Sequence, residues 1–192
     1  MRITLPNILT FSRIVAIPVV IGLLFLPAPL GSWLAFSAYV YASVTDFFDG
    51  YLARAWKQQS NLGRFLDPIA DKLLVAAILL VLVGIDRIAG LAVVPAAIIL
   101  CREILVSGLR EFLAELRVSM PVSKLAKWKT TVQLLALGFL LVGEEGPDFG
   151  PLSTTEIGIY GLWLAAVFTL ITGYDYLRAG LKHIAESDQE PT

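Results

Sequence analysis

Six long apolar runs, separated by short polar breaks, limit the fold of this chain more than any other feature. They cover residues 8–26, 32–55, 62–83, 89–112, 124–142 and 155–177. A helix needs about 20 mostly apolar residues to cross a bilayer, and each run is close to that length. The pattern therefore predicts an all-α integral membrane protein with six transmembrane helices in a single domain, residues 1–185, followed by a loose tail at 186–192.

The composition excludes a soluble protein of this size. Of the 192 residues, 57% are hydrophobic and only 16% are charged, whereas soluble domains carry about 25% charged residues. A small soluble body leaves much of its surface in water and cannot hide such an apolar excess. The formal net charge of −1 gives no basic field for nucleic acid. One cysteine and one histidine cannot form a zinc cluster or an internal disulfide.

The basic residues predict the orientation in the membrane. With six spans, both termini lie on one side, and that side collects all but one of the 15 Lys and Arg residues. The exception is Arg87, in the connector after the third run. Because loops rich in Lys and Arg stay in the cytoplasm, we expect both termini to be cytoplasmic.

Four aspartates stand where the second run ends and the third begins. Asp46 and Asp49 are three residues apart, and Asp67 and Asp71 are four apart, so each pair lies on one face of its helix. At a rise of about 1.5 Å per residue, all four fall near the cytoplasmic edge of a hydrocarbon core about 30 Å thick. The two helices are antiparallel, so the four carboxylates can converge.

Such a cluster needs a positive partner, because carboxylates repel one another and burial in a membrane raises the cost. Hard carboxylate oxygens suit Mg²⁺ or Mn²⁺, and two such ions suit four carboxylates together with a phosphate. Gly50 follows Asp49, and Gly63 precedes Asp67 by one turn; both allow a ligand or a helix to approach the backbone. The residues thus predict a site for two divalent cations, with interhelical ion pairs as the structural alternative.

The complete pattern resembles the signature of the CDP-alcohol phosphotransferase family. It reads Asp46-x2-Asp49-Gly50-x2-Ala53-Arg54-x8-Gly63-x3-Asp67-x3-Asp71. Further segments, at residues 5–13, 65–72, 102–111 and 123–127, resemble those of bacterial family members that act on glycerol 3-phosphate. The resemblance reaches from residue 5 to about residue 131.

The resemblance implies the six-helix fold of that family in a bacterial inner membrane, with the active site at the cytoplasmic face. It implies that two divalent cations bind to Asp46, Asp49, Asp67 and Asp71, and that Asp71 is also the catalytic base. It implies a homodimer as well. The cytidine diphosphate site would comprise Asp46, Gly50, Ala53, Arg54, Gly63 and Asp67.

The expected reaction transfers the phosphatidyl group from CDP-diacylglycerol to the 1-hydroxyl of glycerol 3-phosphate and releases CMP. The acceptor phosphate needs cations, and basic residues lie near the cytoplasmic ends of the fourth and fifth helices. They are Arg102, Arg110, Lys124, Lys127 and Lys129. Comparison with the family favours Arg110 and Lys127, although positive-inside bias alone also accounts for basic residues here. Asn7 and Arg13 resemble an N-terminal family motif and are further candidates for the site.

Three alternatives remain open at this point. Family members that make cardiolipin, or that use inositol phosphate, share the Asp signature and differ in the acceptor. A divalent-cation transporter belongs to another class, although transporter sites usually lie at the midplane of the membrane rather than at one edge. A purely structural membrane protein is the third, and it predicts that replacing Asp71 leaves every activity intact.

Overall fold

The described residues, 5–55, 61–115 and 124–187, form six α-helices in the computed structural model of the chain. Within these ranges, the side chains at 5–8, 47–55, 61, 62, 64, 115, 124 and 182–187 are outside the description. The helices are α1 (Leu5–Leu24), α2 (Leu30–Ala55), α3 (Asn61–Gly84), α4 (Val93–Glu115), α5 (Lys124–Val142) and α6 (Thr154–Ser187). Short 3₁₀ turns lie at Gly90–Ala92 and Gly143–Glu145.

The six helices close into a ring. Taken in the order α1, α2, α5, α6, α4 and α3, each helix packs against the next, and α3 packs against α1 again. The contacts between α5 and α6 and between α1 and α2 are the most extensive. Helix α1 therefore joins the two helices, α2 and α3, that carry the predicted metal ligands.

The outer surface of the ring is apolar and its interior is closely packed. Leu80 and Leu91 are among the most exposed large hydrophobic residues, at 73% and 80%, whereas Leu82, Leu137 and Leu162 are completely buried. An apolar exterior of this extent is what a hydrocarbon environment requires. Within the part of the chain that the structure describes, three stretches are long and apolar enough to cross a membrane, at Gly90–Ala114, Leu125–Glu145 and Thr154–Leu181, and a shorter apolar helix lies at Leu9–Leu24. This surface agrees with the predicted all-α membrane protein. The count of six spans stays a prediction.

Small residues set the closest approaches between helices. A Cβ on Gly158 would lie 2.7 Å from a Leu140 side-chain carbon of α5, so only glycine permits the observed packing of α6 on α5. At the turn into α2, a Cβ on Gly31 would lie 2.6 Å from the backbone oxygens of Leu23 and Leu26. Glycine at these two positions therefore allows α6 to approach α5 closely and the start of α2 to approach the end of α1.

Helix α6 begins at a capping box. The backbone N–H of Ser153 donates to Glu156 Oε2 at 2.8 Å, and the N–H of Glu156 donates to Ser153 Oγ at 3.2 Å. This reciprocal pair satisfies two N–H groups at the start of the helix. Gly143, with a φ of 64°, ends α5 in the left-handed conformation that favours glycine. The direction of the chain between α5 and α6 is thus set by local sequence.

Arg87, in the connector after α3, joins α2 and α5 at the end of the ring opposite the aspartates, which we call the outer end. Its guanidinium donates to Ser32 Oγ at 2.6 Å, to the Leu140 carbonyl at 3.3 Å and to the Leu141 carbonyl. The two carbonyls belong to the last turn of α5, where a cation is favourable. Burial lowers the pKa of the Arg87 guanidinium, and the nearby Glu145 and Glu144 carboxylates act in the opposite direction.

The observed bounds agree with the predicted runs to within a few residues at most ends. Helix α6 is the main difference, since it continues ten residues past the predicted end at 177 and reaches Ser187. The predicted tail at 186–192 therefore starts inside the helix, and residues 188–192 lie outside the described residues. Proline is also tolerated inside two helices, as Pro18 in α1 and Pro68 in α3; each removes one backbone hydrogen bond.

Candidate active site

A cavity of about 310 Å³ opens at the end of the ring that carries the aspartates, the polar end, and all six helices contribute to its walls. One wall is acidic, with Asp46 from α2 and Asp71 from α3. The facing wall is basic, with Arg102 and Arg110 from α4 and Lys129 from α5. The acidic and basic walls enclose one cavity because each helix of the ring directs one face toward the shared interior.

Arg13 of α1 brings two of the predicted metal ligands together. Its Nη1 lies 2.6 Å from Asp46 Oδ1 and 3.1 Å from Asp71 Oδ1. The Arg13 side chain is completely buried, whereas the side chains of Asp46 and Asp71 are 39% and 52% exposed and line the cavity. The two carboxylates therefore converge on one cationic position. Oxygen donors arranged around a cation in this way fit a hard divalent ion.

Asp67 has a different partner. Its Oδ1 accepts a hydrogen bond of 2.7 Å from Thr10 Oγ1 of α1, and it is absent from the lining of the cavity. Among the side chains that the structure describes, no group of three or more His, Cys, Asp or Glu residues is placed to hold a metal ion. Asp49 falls outside those side chains, although α2 continues through it, so the four-aspartate site stays a prediction.

The basic wall is built on a buried ion pair. Lys129 is 4% exposed, and its Nζ contacts Glu103 Oε1 of α4. Arg102 lies 3.9 Å from the other oxygen of Glu103 and donates to Thr172 Oγ1 of α6 at 3.0 Å. Glu103 therefore holds two cations in place without neutralising both, so the wall keeps a net positive charge. A fixed positive wall of this kind suits a phosphate group.

An aromatic ring supports the same wall. The guanidinium carbons of Arg102 and Arg110 lie 5.7 Å and 6.0 Å from the centre of the Tyr176 ring of α6. Both distances are within the range of a cation–π interaction. Tyr176 is buried, so it limits the directions that the two arginines can take.

Lys72 is held away from the acidic wall although it directly follows Asp71. Its Nζ contacts Ser107 Oγ of α4, and Ser107 Oγ lies 3.4 Å from Glu111 Oε1. Lys72 also lines the cavity. This contact links α3 to α4 at the polar end.

The other predicted site residues are placed as follows. Gly63 is buried in α3, one turn before Asp67. Lys127 is exposed on α5 and is absent from the lining of the cavity, whereas Arg102 and Arg110 line it. Besides Asp49, five predicted residues fall outside the described side chains: Asn7, Gly50, Ala53, Arg54 and Lys124.

Sequence reasoning missed four residues of this region: Thr10, Glu103, Gln133 and Tyr176. Glu103 and Gln133 could have been found, because a charged or amide side chain inside an apolar run is costly unless it has a partner or a ligand. Thr10 and Tyr176 carry no comparable indication, since hydroxyl and aromatic residues are common in membrane helices. Their roles follow from how α1 and α6 pack.

The comparison with known families agrees with this geometry. Residues 3–171 match the CDP-alcohol phosphatidyltransferase family. The match covers most of the chain, and the chain belongs to this family. The resemblance stated from the Asp signature is thereby confirmed.

Relatives within the family share one name. A protein of Rickettsia bellii is 47% identical over 182 residues, which are 93% of this chain and 96% of the relative. A protein of Pectobacterium atrosepticum is 40% identical over 188 residues, and the match covers 97% of this chain and 100% of the relative. A protein of Cereibacter sphaeroides is 38% identical in an alignment 219 positions long, which covers 97% of this chain and 99% of the relative. Each is named CDP-diacylglycerol–glycerol-3-phosphate 3-phosphatidyltransferase.

Proposed function

We propose that the protein transfers the phosphatidyl group of CDP-diacylglycerol to the 1-hydroxyl of sn-glycerol 3-phosphate, giving phosphatidylglycerophosphate and CMP. The observation that carries this proposal is the cavity at the polar end, in which Asp46 and Asp71 face Arg102, Arg110 and Lys129. The reaction needs both walls. The pyrophosphate of the donor requires cations held by carboxylates, and the acceptor carries a phosphate that requires basic side chains. The shared name of the relatives supports the same reaction.

The acidic wall would handle the donor and the proton. Asp71 accepts the proton of the acceptor 1-hydroxyl as the oxygen attacks the β-phosphorus, at hydrogen-bond range. The bond between that phosphorus and the bridging oxygen breaks, and the oxygen leaves with CMP. Asp46 and Asp71, with Asp49 and Asp67 as the resemblance implies, would hold Mg²⁺ or Mn²⁺. When bound, these cations supply positive charge that offsets the charge of the pyrophosphate and of the departing CMP.

The basic wall would orient the acceptor. Arg102 and Arg110 can bind the phosphate of glycerol 3-phosphate through planar guanidinium groups, and Lys129 adds a fixed charge. Binding at this wall directs the free 1-hydroxyl of the acceptor across the cavity toward Asp71. Such positioning contributes to the rate because it replaces an encounter of free molecules by a reaction within one complex.

The location of the cavity fits a lipid donor and a water-soluble acceptor. The acyl chains of CDP-diacylglycerol stay in the bilayer while its nucleotide reaches the polar end. Because six spans would place all but one of the 15 basic residues on the side of the termini, we assign the polar end to the cytoplasmic face of the inner membrane. We also propose that two copies form a homodimer, as the resemblance implies.

Acceptor profiling with the purified protein tests this function. CDP-diacylglycerol in detergent micelles is supplied with glycerol 3-phosphate, phosphatidylglycerol or inositol phosphate, and released CMP is measured with and without EDTA. We expect CMP release with glycerol 3-phosphate and its loss in EDTA. Release with only one of the other acceptors would assign the protein to a different reaction of the family. Cation flux into vesicles without nucleotide would favour a transporter instead.

A further inference from the structure

Gln133 of α5 is a buried residue of the cavity that the proposed reaction has not yet used. It is 3% exposed and lines the cavity. Its Oε1 is buried and has no hydrogen-bond partner among the described residues. Nearly all buried polar atoms in proteins have a partner, so an exception on a residue that lines a cavity requires an explanation. A ligand that donates a hydrogen bond would provide it.

The position of Gln133 defines which part of a ligand can reach it. Along α5 it is one helical turn deeper in the ring than Lys129, as Ser43 on α2 is one turn deeper than Asp46. One turn below Ser43, the hydroxyl of Tyr39 donates to the Leu134 carbonyl at 2.9 Å. The charged groups therefore stand toward the polar end, and Gln133 lies below them near the floor of the cavity. An uncharged group suits this level.

We infer that Oε1 of Gln133 accepts a hydrogen bond from the 2-hydroxyl of glycerol 3-phosphate, which makes Gln133 a specificity-determining residue for the acceptor. The inference rests on the proposed function. Of the three functional groups of this acceptor, the phosphate has the basic wall and the 1-hydroxyl has Asp71. The 2-hydroxyl is uncharged, can donate, and is left without an assigned partner. A site built to bind a hydroxyl discriminates against an analogue that lacks it, because the polar group of the protein is then left unpaired.

The test compares two acceptors that differ only in this hydroxyl. 3-Hydroxypropyl phosphate keeps the attacking hydroxyl and the phosphate and lacks the 2-hydroxyl. Values of kcat/KM from CMP release are measured for both acceptors with the wild-type protein, with Gln133→Met, which keeps the length of the side chain, and with Gln133→Leu as a second variant. Thr169→Val is the matched control. Thr169 is completely buried and its Oγ1 also has no partner among the described residues, but it is absent from the cavity lining.

We expect the wild-type protein to prefer glycerol 3-phosphate by about 10-fold or more, the effect of one hydrogen bond on binding. In Gln133→Met the preference falls to about 2-fold or less, because kcat/KM drops for glycerol 3-phosphate and stays near the wild-type value for the analogue. Thr169→Val keeps the wild-type preference. Thermal unfolding of Gln133→Met stays near that of the wild type, since Oε1 has no bond in the protein to lose.

Two results would overturn the inference while leaving the proposed function in place. One is an unchanged preference in both Gln133 variants. The other is an equal loss of kcat/KM with both acceptors, which would give Gln133 a structural role. If the wild-type protein releases no CMP with glycerol 3-phosphate, the proposed function fails and the inference fails with it.

Discussion

Replacing Arg13 tests the contact that unites the acidic wall. The Arg13→Met variant keeps most of the volume of the side chain and removes its charge, so Asp46 and Asp71 are left facing each other. Breaking a buried ion pair costs about 3–5 kcal/mol, whereas exposed pairs contribute about 0.2–1 kcal/mol. Arg13 is fully buried but its partners are 39% and 52% exposed, so water offsets part of the loss. We expect unfolding to become easier by about 2 kcal/mol, between these two limits.

For a chain of this size, 1 kcal/mol changes the melting temperature by about 2–4 °C. The Arg13→Met variant should therefore melt about 4–8 °C below the wild-type protein in the same detergent and in EDTA. Arg13→Lys keeps a charge but loses the planar group that reaches both carboxylates, and its loss should be roughly half as large. Arg178→Met makes the same chemical change at an exposed position of α6 and should shift the melting temperature by less than about 2 °C.

The change in melting temperature on adding divalent cations is a second test of the same variant. If the two carboxylates bind Mn²⁺, adding it should raise the melting temperature of Arg13→Met more than that of the wild type, because the ion then meets no competing guanidinium. A melting temperature of Arg13→Met within 1 °C of the wild-type value in EDTA would refute the assigned role of the contact. An equal response of both proteins to Mn²⁺ would separate Arg13 from the cation site.

Three further substitutions have distinct expected outcomes. Asp71→Asn should lower kcat for CMP release by about 10²–10⁴-fold, the usual contribution of a general base, while calorimetry still detects binding of CDP; activity close to wild type would exclude the assigned role. Glu103→Gln leaves Lys129 buried without its counter-charge, so the melting temperature should fall and KM for glycerol 3-phosphate should change. An unchanged KM would count against a role of Glu103 in supporting the basic wall. Arg87→Met removes three hydrogen bonds at the outer end, so thermal unfolding should occur at a lower temperature while kcat in the remaining folded protein is unchanged; a fall in kcat itself would contradict this separation of the two ends.

The helices were predictable from the sequence because the bilayer fixes the length of an apolar run. The convergence of all four aspartates, which helical spacing predicts, stays a prediction, whereas Asp46 and Asp71 converge on one position in the structure. Their contact with Arg13 could not be derived in the same way, because it depends on α1 packing against both α2 and α3, and sequence spacing does not report which helices are neighbours. Arg13 was singled out through the resemblance of its segment to a family motif.

The basic wall was predictable only in outline. Lys129 and Lys127 are two residues apart at the same end of α5, and the positive-inside tendency accounts equally well for both. In the structure Lys129 is buried against Glu103 and Lys127 is exposed. What distinguishes them is the direction of each side chain relative to α4, which is a property of helix packing. The position of Glu103 inside an apolar run could have indicated a buried partner, but it was not used to predict one.

The length of α6 has a consequence for how the two substrates meet. Its 34 residues span about 51 Å at about 1.5 Å each, well beyond a hydrocarbon core of about 30 Å. Because α6 is packed on α4 and α5, it cannot tilt freely to absorb the difference, and bilayers of unequal thickness cover unequal lengths of it. We therefore expect the depth at which the nucleotide of the lipid meets the water-soluble acceptor to vary with acyl-chain length, so that short-chain and long-chain phospholipids expose the cavity mouth at two different heights.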